Sequence, residues 1–485
     1  MSQAKRMVKH STIYAVGNIS RQLVGFLMLP VYTRFLSPAD YGVVGLLIFM
    51  VSLIELLFGG HMFNAVPKYY YDANSEAQRK KVLSTALFIT GAISTTTVLL
   101  VGFFSDQVSG ILFGKDTYAT IVSMFAVLIL THALENYALV YIRIQQKPWL
   151  FVGASLSKLV LQLSLNIYFV VVLEMGVYGI AVSTMSSSLI FSAIMTTYTL
   201  KSVGFEFGKN ICITLLRFSW PLWIGGIAGL YIGSANRYYL RTFSSLNDVG
   251  LFELAAKFSG IVFLLVWTPF LQYWQTERFR IQKDSNAIYV YQTVFKIITF
   301  LLFSVGVGVS LFSKTVIDIM ASSEFGASSN AVAFLVFAAI FNCLTTYNNF
   351  SFLLKEKTTT ITKNSYITAG IITVFFFILI PAFGFVGAAA AALLANIIQF
   401  TLIFFSAKRC YDMKLNLPNL IYTASVSFSA IYCAHLIPDL PLIQDILCRG
   451  VIFVITGLLI VLPLYTDKKL RNFIIQNFIK PRKKI

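Results

Sequence analysis

Charged residues are scarce in this chain. Only 12% of its 485 residues are Asp, Glu, Lys or Arg, whereas 57% are hydrophobic, and the mean hydropathy is +0.76. Soluble domains carry about 25% charged residues. The composition therefore excludes a soluble globular protein and predicts an all-α integral membrane protein that crosses the bilayer many times.

The residue patterns of enzymes and metal sites are also missing. The chain has four histidines without an HExxH pair, five scattered cysteines without a CxxC pair, and no glycine-rich loop that ends in GK[ST]. These gaps argue against a metal centre, a disulfide framework and ATP hydrolysis. Loops are short, so no extramembrane domain is expected. We predict no enzymatic activity, no cofactor and no metal.

Basic residues are the one charged class that is plentiful. The net charge is +18, but Lys and Arg occur in short clusters between apolar runs rather than along one face, which argues against a nucleic-acid partner. If the N-terminus is cytoplasmic, cytoplasmic segments hold 28 basic residues and external segments hold six, with four more inside spans. The positive-inside rule thus predicts that both termini are cytoplasmic.

Fourteen apolar runs are long enough to cross a bilayer. They divide into an N-terminal six-helix lobe (1–201), a cytoplasmic linker (202–217), a C-terminal six-helix lobe (218–409), and an extra helix pair with a basic tail (410–485). The predicted spans are 11–36, 41–66, 82–104, 118–142, 149–173, 177–200, 212–240, 250–275, 289–312, 328–354, 364–382, 385–407, 419–437 and 446–465.

An internal repeat relates the two lobes. Shifting the chain by 208 residues aligns 11–42 with 219–250, with eight identities and no gap. The same shift places Gly176 on Gly384 and Lys147 on Lys355. Because each repeat has an even number of spans, the two lobes should be parallel, with a cavity between them. The identical pairs are Ser11/Ser219, Gly17/Gly225, Ile19/Ile227, Gly25/Gly233, Phe35/Phe243, Ser37/Ser245, Asp40/Asp248 and Gly42/Gly250.

The first span carries unexpected polarity near its middle, at Asn18, Arg21 and Gln22. Placing a charged side chain at the bilayer centre costs roughly 2.5–3.5 kcal/mol on insertion scales. Arg21 and Glu55 lie at similar predicted depths, about 14 or 15 residues from the external surface. They could form a static ion pair that fixes two helices, or a site for a substrate phosphate or a coupling ion.

Other charges within or beside spans are candidates for the same site. Glu253 and Lys257 are four residues apart and so share a helix face. Arg237 and Arg34 lie near external helix ends and could bind an anionic head group or extend to the interface. Glu135, close to His132, is a candidate for proton coupling, or a packing residue. Lys158 and Lys296, near cytoplasmic helix ends, could also extend to the interface.

The chain resembles the polysaccharide-transport flippases of the multidrug/oligosaccharidyl-lipid/polysaccharide exporter superfamily. The resemblance rests on the opening pattern GNISRQLVGFLMLPVYTRFLSPADYG, on Lys68-Tyr69-Tyr70, and on the GxxGxA turns at 176–181 and 384–389. It implies two six-helix lobes around a central cavity. By position, Ser20-Arg21 matches the step that supplies a cavity arginine in the related lipid II flippase. Several polysaccharide flippases have twelve helices, so the fourteen predicted here depart from them.

This resemblance implies translocation of an undecaprenyl-pyrophosphate-linked oligosaccharide across the bacterial inner membrane by alternating access, driven by an ion gradient or the membrane potential. The cargo would be an O-antigen, capsule or exopolysaccharide repeat unit, and the implied partners are this lipid-linked oligosaccharide, membrane lipids, and a polysaccharide polymerase with its chain-length regulator. One rival is a drug/cation antiporter of the same superfamily, which should show acidic rather than basic cavity residues. Another is a membrane-embedded polymerase or ligase, which should carry a sizeable external loop with catalytic Arg or His.

Overall fold

The structure, a computed structural model, describes residues 28–58, 62–282, 284–438 and 440–466. All regular elements within these ranges are helices. The chain separates into two compact units, with the division between Glu253 and Leu254, inside one helix. Each unit is described by itself below.

The first unit is built from ten helices and the start of an eleventh. A π-helical segment, Ile167–Val172, extends α7. The helices are α1 (Leu29–Phe35), α2 (Pro38–Phe58), α3 (Val66–Asp72), α4 (Glu76–Phe103), α5 (Ser105–Phe113), α6 (Ala119–Ile144), α7 (Pro148–Asn166), α8 (Gly176–Val203), α9 (Lys209–Ser234), α10 (Asn236–Phe243) and α11 (Leu246–Val262).

Helix α6 is the centre of the first unit, where it packs against both α4 and α8. Its Tyr137 is fully buried among Leu83, Ala86 and Leu215. The Tyr137 hydroxyl lies 2.7 Å from the hydroxyl of Thr90 on α4, so its polar atom is satisfied inside the apolar core. This packing fixes the position of the charged residues that α6 carries.

The second unit holds the rest of α11 and the helices that follow. A π-helical segment, Phe263–Trp267, joins α11 to α12 directly before Pro269, a residue that lacks the backbone N–H a continuous helix needs. The remaining helices are α12 (Thr268–Ile281), α13 (Ala287–Met320), α14 (Ser329–Asn348), α15 (Phe350–Leu354), α16 (Thr358–Cys410), α17 (Leu417–His435) and α18 (Leu442–Thr466).

The all-α membrane fold class is confirmed. Within the described ranges, ten helices are long and apolar enough to span a membrane, or eleven if α9, which bends by 44°, counts as one span. In the described part of the chain, the second predicted span (41–66) is helical over 41–58, and the later spans largely coincide with helix. The spans 364–382 and 385–407 are the two arms of α16, which meet at Gly384 (φ 54°). The first predicted span lies mostly outside the described residues, so the total of fourteen stays a prediction.

Local backbone geometry supports the repeat and corrects its alignment. The turn after α6 and the turn after α15 each contain a residue with φ of 55°, Gln146 and Glu356. In both turns the next backbone N–H bonds five residues back, from Lys147 to Ile142 and from Lys357 to Phe352. Lys147 therefore corresponds to Lys357 and not to Lys355. The shift is 210 residues here and returns to 208 at the later glycines with φ of 56° and 54°.

The segment between α8 and α9 is fastened to α4. The hydroxyl of Ser84 donates to the carbonyl of Gly204 and accepts from the backbone N–H of Glu206, at 3.1 and 2.9 Å. The hydroxyl of Thr85 accepts from the N–H of Gly208 at 3.0 Å. This part of the predicted linker is thus held by specific hydrogen bonds. The predicted division of the chain into lobes at 202–217 rests on the repeat and stays a prediction.

The last two helices, α17 and α18, pack on each other and on α13. Arg449 of α18 is 9% exposed, binds Asp445 one turn earlier at 2.7 Å, and donates to the carbonyl of Leu311 at 3.0 Å. Asp445 also accepts from the hydroxyl of Thr315 at 2.9 Å. These bonds attach the extra helix pair to α13.

Candidate functional site

Part of the predicted site falls outside the described residues. Asn18, Arg21 and Gln22 lie there, so the pairing of Arg21 with Glu55 stays a prediction. The structure does place the other predicted site residues, which are Arg34, Glu55, Glu135, Arg237, Glu253 and Lys257.

Glu55 faces a residue on another helix. Its Oε2 lies 3.8 Å from Nδ1 of His132 on α6, and the glutamate side chain is 17% exposed. This separation is too long for a hydrogen bond but short enough for electrostatic attraction when the imidazole is protonated. The sequence treated Glu55 and His132 separately, and the structure brings them together.

Glu135, one turn from His132 on α6, forms a closer pair. Its Oε2 accepts from Nζ of Lys158 on α7 at 2.5 Å, and the glutamate side chain is 7% exposed. Its other oxygen, Oε1, is buried and has no hydrogen-bond partner among the described residues. The ammonium group of Lys158 also lies over the ring of Phe191, at 5.6 Å from its centroid. The expectation that Lys158 extends to the membrane surface is therefore wrong, because its charge is held by Glu135 inside the unit.

These two pairs form one group across three helices of the first unit. Glu55 on α2, His132 and Glu135 on α6, and Lys158 on α7 are hereafter the α6 charged cluster. Desolvating a charged side chain is costly unless it is paired or hydrogen-bonded. The cluster, with one carboxylate oxygen left unpartnered, has the composition expected of a site that exchanges a proton or binds a cation.

Arg237 and Glu253 form a second largely buried pair, between α10 and α11. The guanidinium Nε donates to Oε1 of Glu253, and both side chains are less than one-fifth exposed. Arg237 also donates to the carbonyl of Gly233 at 3.0 Å and to Oδ1 of Asn236 at 3.2 Å. Glu253 is therefore bound to Arg237. Lys257, one turn further along α11, belongs to the second unit.

Arg34 has a different setting from these pairs. It is exposed at the end of the short helix α1. Cations near a helix C-terminus are favoured by the helix dipole. This exposure fits the interpretation that Arg34 extends to the membrane interface, which was one of the two alternatives that the sequence left open.

The sequence reasoning missed two buried arginines. Arg278 was counted among the 28 cytoplasmic basic residues and Arg449 among the six external ones, but both are less than 10% exposed. The guanidinium of Arg278 lies 5.0 Å from the ring centroid of Phe350, and its buried Nε has no partner among the described residues. Burial lowers the pKa of Arg278, which follows the membrane-spanning part of its helix. Asp445, four residues before Arg449, was a local signal for a paired arginine, whereas nothing in the sequence beside Arg278 marks it as buried.

Comparison with known proteins identifies the family. The profile of the polysaccharide biosynthesis protein family (Polysacc_synt_3) matches residues 31–330, which is more than half of the chain. The chain belongs to this family. The match begins in α1 and includes the α6 charged cluster and the Arg237–Glu253 pair.

A relative in Haemophilus influenzae supports this assignment. It is the Lsg locus putative protein 1, and it is 23% identical over 270 residues. That match covers 54% of this chain and 63% of the relative, so it spans less than two thirds of the relative's length.

Solved structures show how widely the fold is shared. The lipid II flippase MurJ in an inward closed conformation has a TM-score of 0.70 at 16% identity, over 95% of this chain and 98% of its own. An inward-facing multidrug resistance MATE family transporter of the MOP superfamily has a TM-score of 0.61 at 17% identity, over 82% of this chain and 99% of its own. At such identities these likenesses show the fold alone. This member of the polysaccharide biosynthesis family therefore has the helical fold of MOP superfamily transporters.

Proposed function

We propose that this protein is a flippase for an undecaprenyl-pyrophosphate-linked oligosaccharide. It moves an O-antigen, capsule or exopolysaccharide repeat unit from the inner to the outer leaflet of the bacterial inner membrane by alternating access. The observation that carries the proposal is a set of largely buried charge pairs in a polysaccharide biosynthesis protein: Lys158 with Glu135, both in membrane-spanning helices, and Glu253, also in such a helix, with Arg237. Such charges are costly in a membrane protein and are a mark of function.

The chemistry of these pairs suits an anionic cargo. A pyrophosphate needs fixed cations, and a guanidinium can bind two phosphate oxygens at once. In the absence of cargo, Glu253 neutralises Arg237, so the site does not leave a bare charge in the membrane. A pyrophosphate that reaches Arg237 would compete with this carboxylate.

Several residues are assigned roles within this proposal. Cations and amides would bind the pyrophosphate and sugars, and carboxylates would provide counter-charges or couple transport to an ion gradient or the membrane potential. The binding group is Asn18, Arg21, Gln22, Arg34, Arg237 and Lys257, and the coupling group is Glu55, Glu135 and Glu253.

The test is a sidedness assay for the lipid-linked oligosaccharide in cells depleted of the protein. We expect intact units to accumulate on the cytoplasmic face, and the wild-type gene to reverse this. Units that reach the outer face but stay unpolymerised or untransferred would instead support a membrane polymerase or ligase. An unchanged distribution of these units, together with altered drug export, would support an antiporter.

Arg21→Ala provides a sharper version of the same test. We expect it to abolish translocation while the protein still inserts into the membrane, because the proposed binding group loses one of its cations. Normal translocation by this variant would instead support a purely structural role for Arg21, as the ion-pair partner of Glu55.

A further inference from the structure

Two helices of the first unit begin with a serine that caps the backbone N–H of an aspartate three residues later. Helix α2 follows Ser37, whose hydroxyl accepts from the backbone N–H of Asp40 at 3.2 Å, while the Asp40 carboxylate accepts from the Ser37 backbone N–H at 3.1 Å. Helix α11 follows Ser245, whose hydroxyl accepts from the N–H of Asp248 at 3.1 Å. The cap of α2 is reciprocal, whereas the carboxylate of Asp248 in α11 accepts from the hydroxyl of Ser244. Caps of this kind satisfy the first free N–H groups of a helix and fix the point at which it starts.

The two capped helices touch backbone to backbone, two residues after each Asp. A methyl group added at Gly42 would overlap the carbonyl oxygen of Leu246, and one added at Gly250 would overlap the carbonyl oxygen of Pro38. The contact is reciprocal, because Gly42 and Gly250, like Pro38 and Leu246, are equivalent positions of the repeat. Only glycine permits so close an approach.

One turn after Gly42 and Gly250, the equivalent positions of the two copies carry different residues, Gly45 and Glu253. Gly45 and Glu253 also face each other in the structure, because a Cβ at Gly45 would lie 2.6 Å from Cγ of Glu253. The glutamate side chain therefore lies over α2 in the space that a glycine leaves, and its carboxylate binds Arg237. Packing of α11 on α2 and neutralisation of Arg237 thus depend on the same side chain.

We propose that this contact is a gate of the transport cycle. The gate, defined by Pro38, Gly42, Leu246 and Gly250, is closed in this structure and must part for the cargo to pass. Binding of a pyrophosphate to Arg237 frees Glu253 from its partner, which weakens the packing of α11 on α2 and opens the gate. The proposal rests on the flippase function and adds to it the residues that join cargo binding to opening.

The physical basis is the kind of surface that meets at the gate. A contact made by glycine and main-chain oxygens involves few side-chain rotamers, so it can part and re-form without repacking a core. The neighbouring side chains of Val43 and Val249 are fully buried in the closed state. Opening would expose them, which provides a readout that does not depend on transport.

The first experiment measures this exposure. Val249→Cys is introduced into a variant in which the five native cysteines are replaced, and its labelling by a membrane-impermeant maleimide is followed in intact vesicles. Adding Gly42→Ala should raise the labelling rate several-fold, because the methyl group displaces Leu246. The matched control is Gly260→Ala, also on α11, where an added methyl meets nothing within 4 Å. Equal labelling in the two variants would overturn the gate.

The second experiment tests whether the cargo controls the gate. The probe is undecaprenyl pyrophosphate incorporated into vesicles that contain the Val249→Cys protein. It should raise maleimide labelling several-fold, and Arg237→Gln should abolish this response while Gly260→Ala retains it. A response that persists in Arg237→Gln would refute the role of Arg237 and Glu253 in opening.

The third experiment separates the gate from the flippase function. Pro38→Cys and Leu246→Cys are joined by a short reducible cross-linker in the cysteine-replaced protein. Cross-linked protein should not move the lipid-linked oligosaccharide, and reduction should restore the unbridged rate. Transport at the unbridged rate while cross-linked would refute the gate and leave the flippase function intact. If the protein does not transport even without the cross-linker, the proposed flippase function is refuted. In that case the maleimide labelling of Val249→Cys alone decides whether the contact opens.

Discussion

We expect that removing Lys158 alone destabilises the protein far more than removing both Lys158 and its partner Glu135. In Lys158→Met the carboxylate of Glu135 keeps its position, 7% exposed, with neither oxygen bonded among the described residues. Breaking a buried pair in this way costs about 3–5 kcal/mol. Glu135→Leu should cost less stability, roughly 1–2 kcal/mol. The side chain of Lys158 is 21% exposed, and its flexible stem can carry the ammonium group toward water.

The double variant Glu135→Leu/Lys158→Met is the decisive member of the series. It replaces both charges by apolar groups of similar size. Its free energy of unfolding should therefore be within about 1 kcal/mol of the wild-type value, or higher. Melting in detergent, followed by exposure of buried thiols, measures the series. The loss in Lys158→Met corresponds to about 6–20 °C for a unit of this size. A double variant that melts no higher than Lys158→Met would show that the two charges do not compensate each other, and would refute the reasoning.

The same variants decide whether Glu135 has a role in coupling. If the double variant regains both stability and oligosaccharide translocation, the pair is structural. If it regains stability but not translocation, the carboxylate is needed for transport itself.

Three further predictions concern buried polar groups elsewhere. Arg449→Met should destabilise the attachment of α18 by about 2–4 kcal/mol, because Asp445 loses its cation, and it should speed protease cleavage between α17 and α18. Ser84→Ala should leave two backbone groups of the segment 204–208 unpaired, at a cost of about 1–3 kcal/mol, and accelerate its amide hydrogen exchange. Arg278→Met should keep or raise the melting temperature, because a buried guanidinium without a carboxylate partner among the described residues is replaced by an apolar chain. A clear loss of stability in Arg278→Met would show that its contacts with aromatic rings outweigh its desolvation.

The fold could be predicted because a membrane span must be apolar over a known length. Hydropathy placed the third span at 82–104, and the structure has a helix at Glu76–Phe103. The additional residues, 76–81, include charged side chains that are unfavourable in lipid, and they begin where Ser75 caps the helix. Hydropathy detects the part in lipid, whereas capping determines where the helix begins.

The partners of the charged residues could be predicted less well. The shared helix face of Glu253 and Lys257 was visible in the sequence, but Glu253 binds Arg237, which lies on α10. Similarly, the position of Lys158 near a helix end left open that its charge could reach the membrane surface, whereas the structure pairs it with Glu135. Spacing along one helix indicates which side chains share a face. Which residue of another helix meets that face depends on how the helices rotate and cross, and a single sequence does not contain this information.

The repeat explains why some positions stayed identical and others diverged. Gly42 and Gly250 are identical because the crossing of α2 and α11 needs a glycine on each side, and the Ser and Asp before each glycine are required by the helix caps. The Arg237–Glu253 pair follows no such symmetry, since the shift of 208 places Glu253 on Gly45 and Arg237 on Leu29. The duplicated residues therefore provide the scaffold and its crossing point, whereas this ion pair belongs to one copy only. A symmetric gate combined with an asymmetric ion pair lets a single binding event at Arg237 act on a contact to which both repeats contribute.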